Sequence, residues 1–435
     1  MLQLLISTWL LAVLLSSFIN TKASLCLYLA YMLFVPFVQI DLPGLHLGEN
    51  LVSTMILAGF LIKNWSKRKM LDFSIFKPFF FLYVFYLVMI LFQRDTPMGF
   101  MLNSYRVNIM RIFILPFVLW NAYLMDRKIL NAIQRTLLIS VLIICLYGLF
   151  LTQMQGFNPW LMAVLPLGGS EFNEEYAFSG LDGRIFGRIS SVFPHPMTNG
   201  LFLCISFVYV WAVRKWIDNK YLLIFLLGII SLDIMFCGVR SAIAGLGAGV
   251  VFYLILTRKI KLALWVVIGL YAALLVAQNI PGLSDYLGSI ADIENKKGSV
   301  QGSSIDMRIE QLNGCFREIQ NCFLVGKGYD WTSYYHSIKG DHPIILAFES
   351  LIYVVLCNNG FLGIIAWSIF FFMIFRMRWP VKELRYLIPT LFVTYIAYSC
   401  ITGEFGYIRY TLIFYVVVLM NYMPSRIENK RITKL

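Results

Sequence analysis

The sequence predicts an all-α, polytopic membrane protein: a bundle of about 12–13 helical spans with one large outward-facing loop. Three observations carry this. Of 435 residues, 59% are hydrophobic and only 14% are charged, and the mean hydropathy is +0.74. A chain this apolar satisfies its backbone in lipid only as helices or as a closed barrel. The apolar runs, such as 79–91 within "FFFLYVFYLVMIL", are continuous and lack the two-residue alternation of a barrel strand. Basic residues, finally, gather in alternate connections.

Spans are predicted at about 3–20, 24–40, 46–63, 76–93, 106–125, 131–152, 196–213, 220–237, 241–257, 261–278, 360–377, 384–400 and 407–422. Residues 1–20 lack a basic start and a small-x-small cleavage site, so they are expected to stay as a first helix. Whether both of the first two segments cross decides between thirteen spans with the N-terminus outside and twelve with it inside. The chain 1–435 reads as a single integral membrane domain, interrupted by a polar outer loop at 153–195 and a larger one at 279–359.

Orientation follows from lysine and arginine. The connections "KNWSKRK", "DRK", "RKWIDNK", "TRKIK" and "RMRWPVKELR", the tail "RIENKRITKL", Lys77 and Arg135 hold 22 of the 36 basic residues; with Asp72, just before Lys77, this face has five acids. That face carries +17 and the remainder of the chain −4, which accounts for the net +13. The charge is therefore a topology signal, and nucleic acid is excluded as a partner. The segment 343–357 is short for a crossing. If it crossed, "RMRWPVKELR" would fall outside, so it is expected to be a short helix at the outer surface. His342 then lies at its start and Glu349 two turns further along the same face.

Several ionisable residues sit where spans begin. Arg106 and Arg111 open the span at 106–125; a guanidinium there snorkels, finds a partner, or lines a water-filled cavity. Arg240 stands between two apolar helices, followed by Ala242, Ala244, Gly245, Gly247 and Gly249, which permit close helix packing. In "GRISSVFPHPMTNG", His195 is flanked by prolines, with Arg184 and Arg188 before it as candidate ligands of an anionic headgroup. Asp233 is a candidate partner for an arginine. Residues 305–330 read as an amphipathic helix ending in a glycine-rich turn, with Arg308 and Arg317 either facing water or binding an anion. "GKG" at 326–328 lacks the rest of a P-loop. Eight cysteines are scattered without ligand spacing, so no metal is expected; Cys315 and Cys322 read as unrelated thiols, with a disulfide as the alternative that an oxidising compartment permits. Together these residues suit one chemistry: guanidinium forks for pyrophosphate and a histidine or carboxylate to remove a proton from a hydroxyl.

In order along the chain, "GRISSVFPHPMTNG", "CGVRSAIAG" and "RIEQ…FLVGKGYD…HPIILAFESLIYVVLCNNGFLG" resemble the O-antigen ligase and O-antigen polymerase superfamily of bacterial surface polysaccharide assembly. Pro343 and Val239 depart from that family's usual Asn and Ser. The resemblance implies a GT-C-like, metal-independent, inverting glycosyltransferase without cofactors, in the bacterial inner membrane with its site facing the periplasm. The donor it implies is a glycan on undecaprenyl pyrophosphate, with membrane lipid and other polysaccharide assembly proteins as partners. Carried over, Arg240 and Arg308 hold the pyrophosphate, with Arg188, Arg111 and His195 as further binding candidates, and His342 is the base, with Glu349 as the alternative or orienting carboxylate. A polymerase is favoured; a ligase acting on lipid A–core is the alternative. A non-catalytic lipid-linked glycan transporter is the competing class, and it would place charge near mid-bilayer in broken helices.

The topology can be tested directly. Single cysteines introduced at 285–335 in a Cys-free background should react with an impermeant thiol reagent from outside, and those at 378–385 should not. Labelling at 378–385 would mean that an extra crossing lies between them.

Overall fold

A computed structural model describes residues 2–35, 38, 40–42, 45–93, 95–154, 156–167, 188–265, 268–269, 305–402 and 408–424. The chain is a bundle of membrane helices. In order these are α1 Leu2–Ile19, α2 Thr21–Phe34, α3 Glu49–Lys63, α4 Lys77–Phe92, α5 Met98–Ile112, α6 Ile114–Met125, α7 Lys128–Leu151 and α8 Pro159–Val164. They continue with α9 Pro196–Val213, α10 Lys220–Phe236, α11 Arg240–Leu256, α12 Ile305–Glu318, α13 Trp331–Lys339, α14 Leu351–Arg376, α15 Leu384–Ile401 and α16 Ile408–Tyr422. A short antiparallel pair, β1 Ile40–Leu42 and β2 Leu45–Leu47, precedes α3. Among the described residues, seven helical segments are long and apolar enough to cross a membrane, and three shorter apolar helices accompany them. The expected span at 261–278 falls mostly outside the described residues.

Local chemistry fixes where helices start. Asn20 accepts from the N–H groups of Lys22 and Ala23, Asn219 from those of Tyr221 and Leu222, and Ser350 Oγ from that of Ile352. Each satisfies donors that the first turn leaves open. Pro159 and Pro196 sit at the first helical positions of α8 and α9, where no N–H is needed.

The small residues after Arg240 pack as expected. A Cβ on Gly245 would stand 3.0 Å from Tyr398 Cβ, and one on Gly249 would collide with Thr394, so α11 and α15 approach backbone to backbone. Aromatic rings fill the centre: Phe79 meets Phe370 at 5.0 Å, and Trp367 donates to Tyr86 OH at 2.8 Å.

The segment 305–330 is a helix to Glu318 followed by the glycine-rich turn. Two expectations need correction. The span at 106–125 is interrupted at Phe113, between α5 and α6. The surface helix expected over 343–357 starts only at Leu351. Over 342–350 the chain is a tight loop: His342 and Leu346 exchange backbone hydrogen bonds, and Leu346 and Phe348 have φ of 58° and 53°. His342 and Glu349 therefore do not share a helical face. The reason is local: Leu346 and Phe348 take up left-handed φ, which a right-handed helix cannot include, so the His342 ring nitrogen that accepts from Ile344 and Ile345 N–H closes a turn and caps no helix.

The long helix α14 is broken at Gly360 (φ 59°, ψ −155°), a conformation open essentially to glycine alone. The break frees backbone groups inside the protein, and the turn after α12 satisfies them. Lys327 and Gly328 N–H donate to the carbonyls of Cys357 and Asn358 (2.8 and 3.0 Å), while Phe361 and Leu362 N–H donate to those of Phe323 and Leu324 (3.0 and 3.1 Å). The Gln93 side chain, just past α4, joins in by donating to Val325 and Asn358 carbonyls and accepting from Tyr329 N–H. Gly326 and Gly360 allow this seating. A Cβ on either would lie within about 2.6 Å of the opposing backbone.

Ala at position 326 or 360 therefore combines an unfavourable φ with a backbone collision. Each substitution should cost roughly 2–4 kcal/mol, the sum of a left-handed penalty and overpacking, and should lower the thermal unfolding midpoint in detergent. Gly247, which has open space around its Cα, provides the control and should change little.

Candidate active site

The first cluster lies where α12 meets the loop before α14. Arg308, in the first turn of α12, donates from Nη1 to the Glu349 carbonyl (3.1 Å) and approaches Gln311 Oε1 (3.5 Å). Its Nη2 stands 3.7 Å from Glu349 Oε2. Tyr353 OH donates to the Arg308 carbonyl at 2.9 Å, fixing the start of the helix. Both charged side chains remain partly open, Arg308 at 22% and Glu349 at 35%. An arginine expected to bind an anion thus sits beside a carboxylate that can accept a proton.

His342 belongs to a second cluster. It is nearly buried, and its Nδ1 accepts from the N–H groups of Ile344 and Ile345 at 3.1 and 3.0 Å. Nδ1 is therefore the unprotonated nitrogen, so in the neutral ring Nε2 carries the hydrogen and donates to Glu318 Oε1 at 3.3 Å. Neither nitrogen offers a free lone pair to a substrate. Glu318 Oε2 in turn lies 3.6 Å from Lys327 Nζ, which is also 3.6 Å from Asp95 Oδ2. The acid Glu318 and the lysine of "GKG" were not singled out in the sequence; one lay in an ordinary amphipathic helix, the other in a turn of low specificity.

Arg111 is placed elsewhere, in the last turn of α5 against Glu49, whose buried carboxylate it approaches at 3.5 Å. Arg409, at the start of α16, approaches the same carboxylate at 3.6 Å and donates to Tyr410 OH. Two guanidiniums thus share one buried carboxylate and leave a surplus positive charge. Arg409 could have been found in the sequence by the signal that flagged Arg111, a charge at the head of an apolar run. Arg106, by contrast, is exposed and donates to Asn103, as a snorkelling side chain would.

Close by, Phe193 packs edge-on to Tyr410 at 5.6 Å, which brings the 188–195 segment to the head of α16. Arg188 is half-buried, and its Nε has no hydrogen-bond partner among the described residues. His195 caps α9 through Nδ1, which accepts from Met197 N–H at 3.1 Å. Burial, with the Arg188 charge adding to it, holds its pKa down at about 4. At neutral pH it is an uncharged cap and adds no positive charge to an anion site. Arg184 lies outside the described residues.

Arg240 is the first residue of α11 and is half-buried. The antiparallel packing of Gly245 on Tyr398 and Gly249 on Thr394 sets it level with the C-terminal end of α15. There Ser350 Oγ donates to the Cys400 carbonyl at 2.7 Å. Arg240 and the Glu349–Ser350 corner are thus at the same end of one helix pair. Asp233 is buried in α10 against α7, within reach of a Cβ on Gly148, and no arginine meets it among the described ion pairs. Cys315 and Cys322 are separate thiols. Among the described residues, no group of three His, Cys, Asp or Glu is arranged to hold a metal ion.

Residues 223–368, about a third of the chain, match the family model for O-antigen ligase. That match supports the O-antigen ligase and polymerase superfamily. It runs from α10 into α14 and includes Arg240, Arg308, Glu318, His342 and Glu349, while Arg111, Arg188, His195 and Arg409 lie outside it. No curated protein and no solved structure matches the chain. The match and the apolar helices together support a multi-pass membrane protein of this superfamily.

His195 gives a pH test. Its folded pKa lies below the ~6.5 of a free histidine, so between those values the unfolded chain binds a proton that the folded chain refuses. Its contribution is intact above pH ~6.5 and is lost as pH falls towards 4. Thermal stability in detergent should decline across this window. His195→Asn keeps a capping oxygen and should flatten the decline; equal slopes would contradict the assignment.

Proposed function

We propose that the protein transfers a glycan from a lipid pyrophosphate to a lipid-linked repeat unit at the outer face of the bacterial inner membrane, lengthening a surface polysaccharide. The observation that supports this most is the pairing of Arg308 with Glu349, both partly open, in the cluster bounded by α12 and the head of α14. A pyrophosphate bound to the Arg308 guanidinium displaces Glu349 from it, and a freed carboxylate then stands beside the reacting carbon. The acceptor hydroxyl oxygen attacks the anomeric carbon, the carbon–oxygen bond to the pyrophosphate breaks, and its electron pair leaves on that pyrophosphate. Glu349 takes the hydroxyl proton. Arg308, with Arg240 from the neighbouring helix pair, stabilises the departing charge.

This assignment prefers Glu349 to His342 as base, because both His342 nitrogens are engaged. His342 then acts by holding Glu318 and the 342–346 loop. A ligase reading uses the same chemistry with lipid A–core as acceptor. The transporter reading is disfavoured because the Arg308–Glu349 pair, to which the transfer chemistry is assigned, lies at the start of α12 and in the loop before α14 rather than in a mid-helix break.

Purified protein given the lipid-linked repeat should produce a ladder of longer chains; a single addition seen only with lipid A–core would favour the ligase. Glu349→Gln should slow turnover by ~10²–10⁴, the usual worth of a general base, while keeping or tightening donor binding. His342→Gln should be milder. Arg308→Ala should lose about thirtyfold, since an anion contact of at least ~2 kcal/mol disappears, and Arg308→Lys should recover little. Near-normal polymer from folded Glu349→Gln would sink the base assignment.

A further inference from the structure

Three cysteines gather where α12 and α14 meet the glycine turn: Cys315 in α12, Cys322 just past its end, and Cys357 in the last turn before the Gly360 break. Cys315 and Cys357 are fully buried in one apolar cluster with Ile319, Ile345 and Phe348, while Cys322 lies at its partly open edge. The two helices that carry the buried pair run side by side in matched order. Tyr353 OH donates to the Arg308 carbonyl at 2.9 Å, one turn before Cys357 and two turns before Cys315. Beyond the cysteines, Phe361 N–H donates to the Phe323 carbonyl at 3.0 Å, and those two phenyl rings stack at 4.2 Å. Between these two ties, the Cys357 thiol hydrogen-bonds to Cys315.

Buried thiols elsewhere in the bundle serve packing, as small apolar groups do. Cys204 in α9 and Cys237 at the end of α10 each donate to a main-chain carbonyl, those of Ala242 and Ile234, at 3.1 and 3.0 Å. Cys315 and Cys357 instead face each other from two separate segments of chain. They do so at the loop assigned above to the outer face, which in bacteria is an oxidising compartment. The pairing that spacing alone suggests, Cys315 with Cys322, is not the one the fold brings together.

We propose that Cys315 and Cys357 form a disulfide that clips α12 to α14 beside the seat of the glycine turn. The oxidation rests on the outer-face reading above. It breaks two S–H bonds and forms one S–S bond. The two electrons and two protons convert the disulfide of a thiol–disulfide exchange catalyst into two thiols, by way of a mixed disulfide. Neither thiol is exposed in the folded protein, so the bond forms before α12 docks and is afterwards shielded from reductant. It closes the 42 residues from 315 to 357, a stretch that includes Glu318, Lys327, His342 and Glu349. Such a closure removes freedom from the unfolded chain. In the folded chain it adds a covalent tie to the main-chain hydrogen bonds that place α12, and with it Arg308, against the head of α14.

The test uses the full chain, expressed in a bacterial membrane, solubilised without reductant, denatured in iodoacetamide and digested without reduction. Mass spectrometry should find one peptide pair joined through Cys315 and Cys357, two hydrogens lighter than the sum of its parts, with Cys322 alkylated. Cys315→Ala and Cys357→Ala should each lower the thermal midpoint by at least ~4 °C. A strong reductant should lower the wild-type midpoint towards that of the double variant and leave the double variant unchanged, a response that packing alone would not give. Sidedness is read separately from Ser337→Cys, at an exposed position of α13, in a chain that keeps Cys315 and Cys357 and lacks the other six cysteines. An impermeant maleimide should label it from outside. Such labelling with Cys315 and Cys357 both alkylated as free thiols would overturn the disulfide and leave the outer-face reading standing. A joined pair in a chain labelled only after the membrane is opened would support the disulfide and remove the outer-face reading. Free thiols with that inside labelling would overturn both, and a Cys315–Cys322 cross-link would overturn this pairing.

Discussion

The rest of the structure depends on backbone hydrogen bonds around the break at Gly360. Inside a membrane protein, a broken helix is tolerated only where other protein groups satisfy the exposed N–H and carbonyl groups. Here the turn at 323–328 does so, with hydrogen bonds running in both directions. The polar loop is thereby fixed to the bundle by main chain rather than by side chains. That fixes α12 on one side of the turn and α13 on the other. Arg308, Glu318 and Lys327 inherit their positions from this one junction.

The same junction explains how charges can be held near lipid at bearable cost. Each charged residue in the three clusters has a neighbour of opposite sign, a backbone partner or both: Arg308 has Glu349, Glu318 has His342 and Lys327, and Arg111 and Arg409 share Glu49. The Arg308–Glu349 pair is partly exposed on both sides and can be exchanged for a charged substrate, whereas an isolated buried ion could not be kept. A resting Arg308–Glu349 pair that opens to admit an anion supplies both the binding group and the base in one rearrangement.

Much of the architecture was legible in the sequence, because hydrophobic runs and basic connections report directly on membrane helices. The break at Asn358–Gly360 was also visible as a turn, since glycine after two asparagines rarely continues a helix. What the sequence did not disclose was tertiary. Left-handed φ at Leu346 and Phe348, beside the paired backbone of His342 and Leu346, makes a loop of the expected helix over 343–350, and no periodicity signals that. The partnership of Glu318 with His342 spans 24 residues, and that of Arg409 with Glu49 spans most of the chain. Residues singled out one at a time, such as Arg111, were therefore found without their partners. Lys327 was passed over because its motif is weak as a motif; its value lies in what the turn places beside it.

A density map of the protein in nanodiscs with a lipid pyrophosphate donor bound tests the central claim most directly. The account predicts pyrophosphate oxygens within hydrogen-bond distance of Arg308, Glu349 released from that arginine, and the 323–328 turn still seated on the α14 break. Pyrophosphate bound instead between Arg111 and Arg409, with the Arg308–Glu349 pair intact, would contradict it.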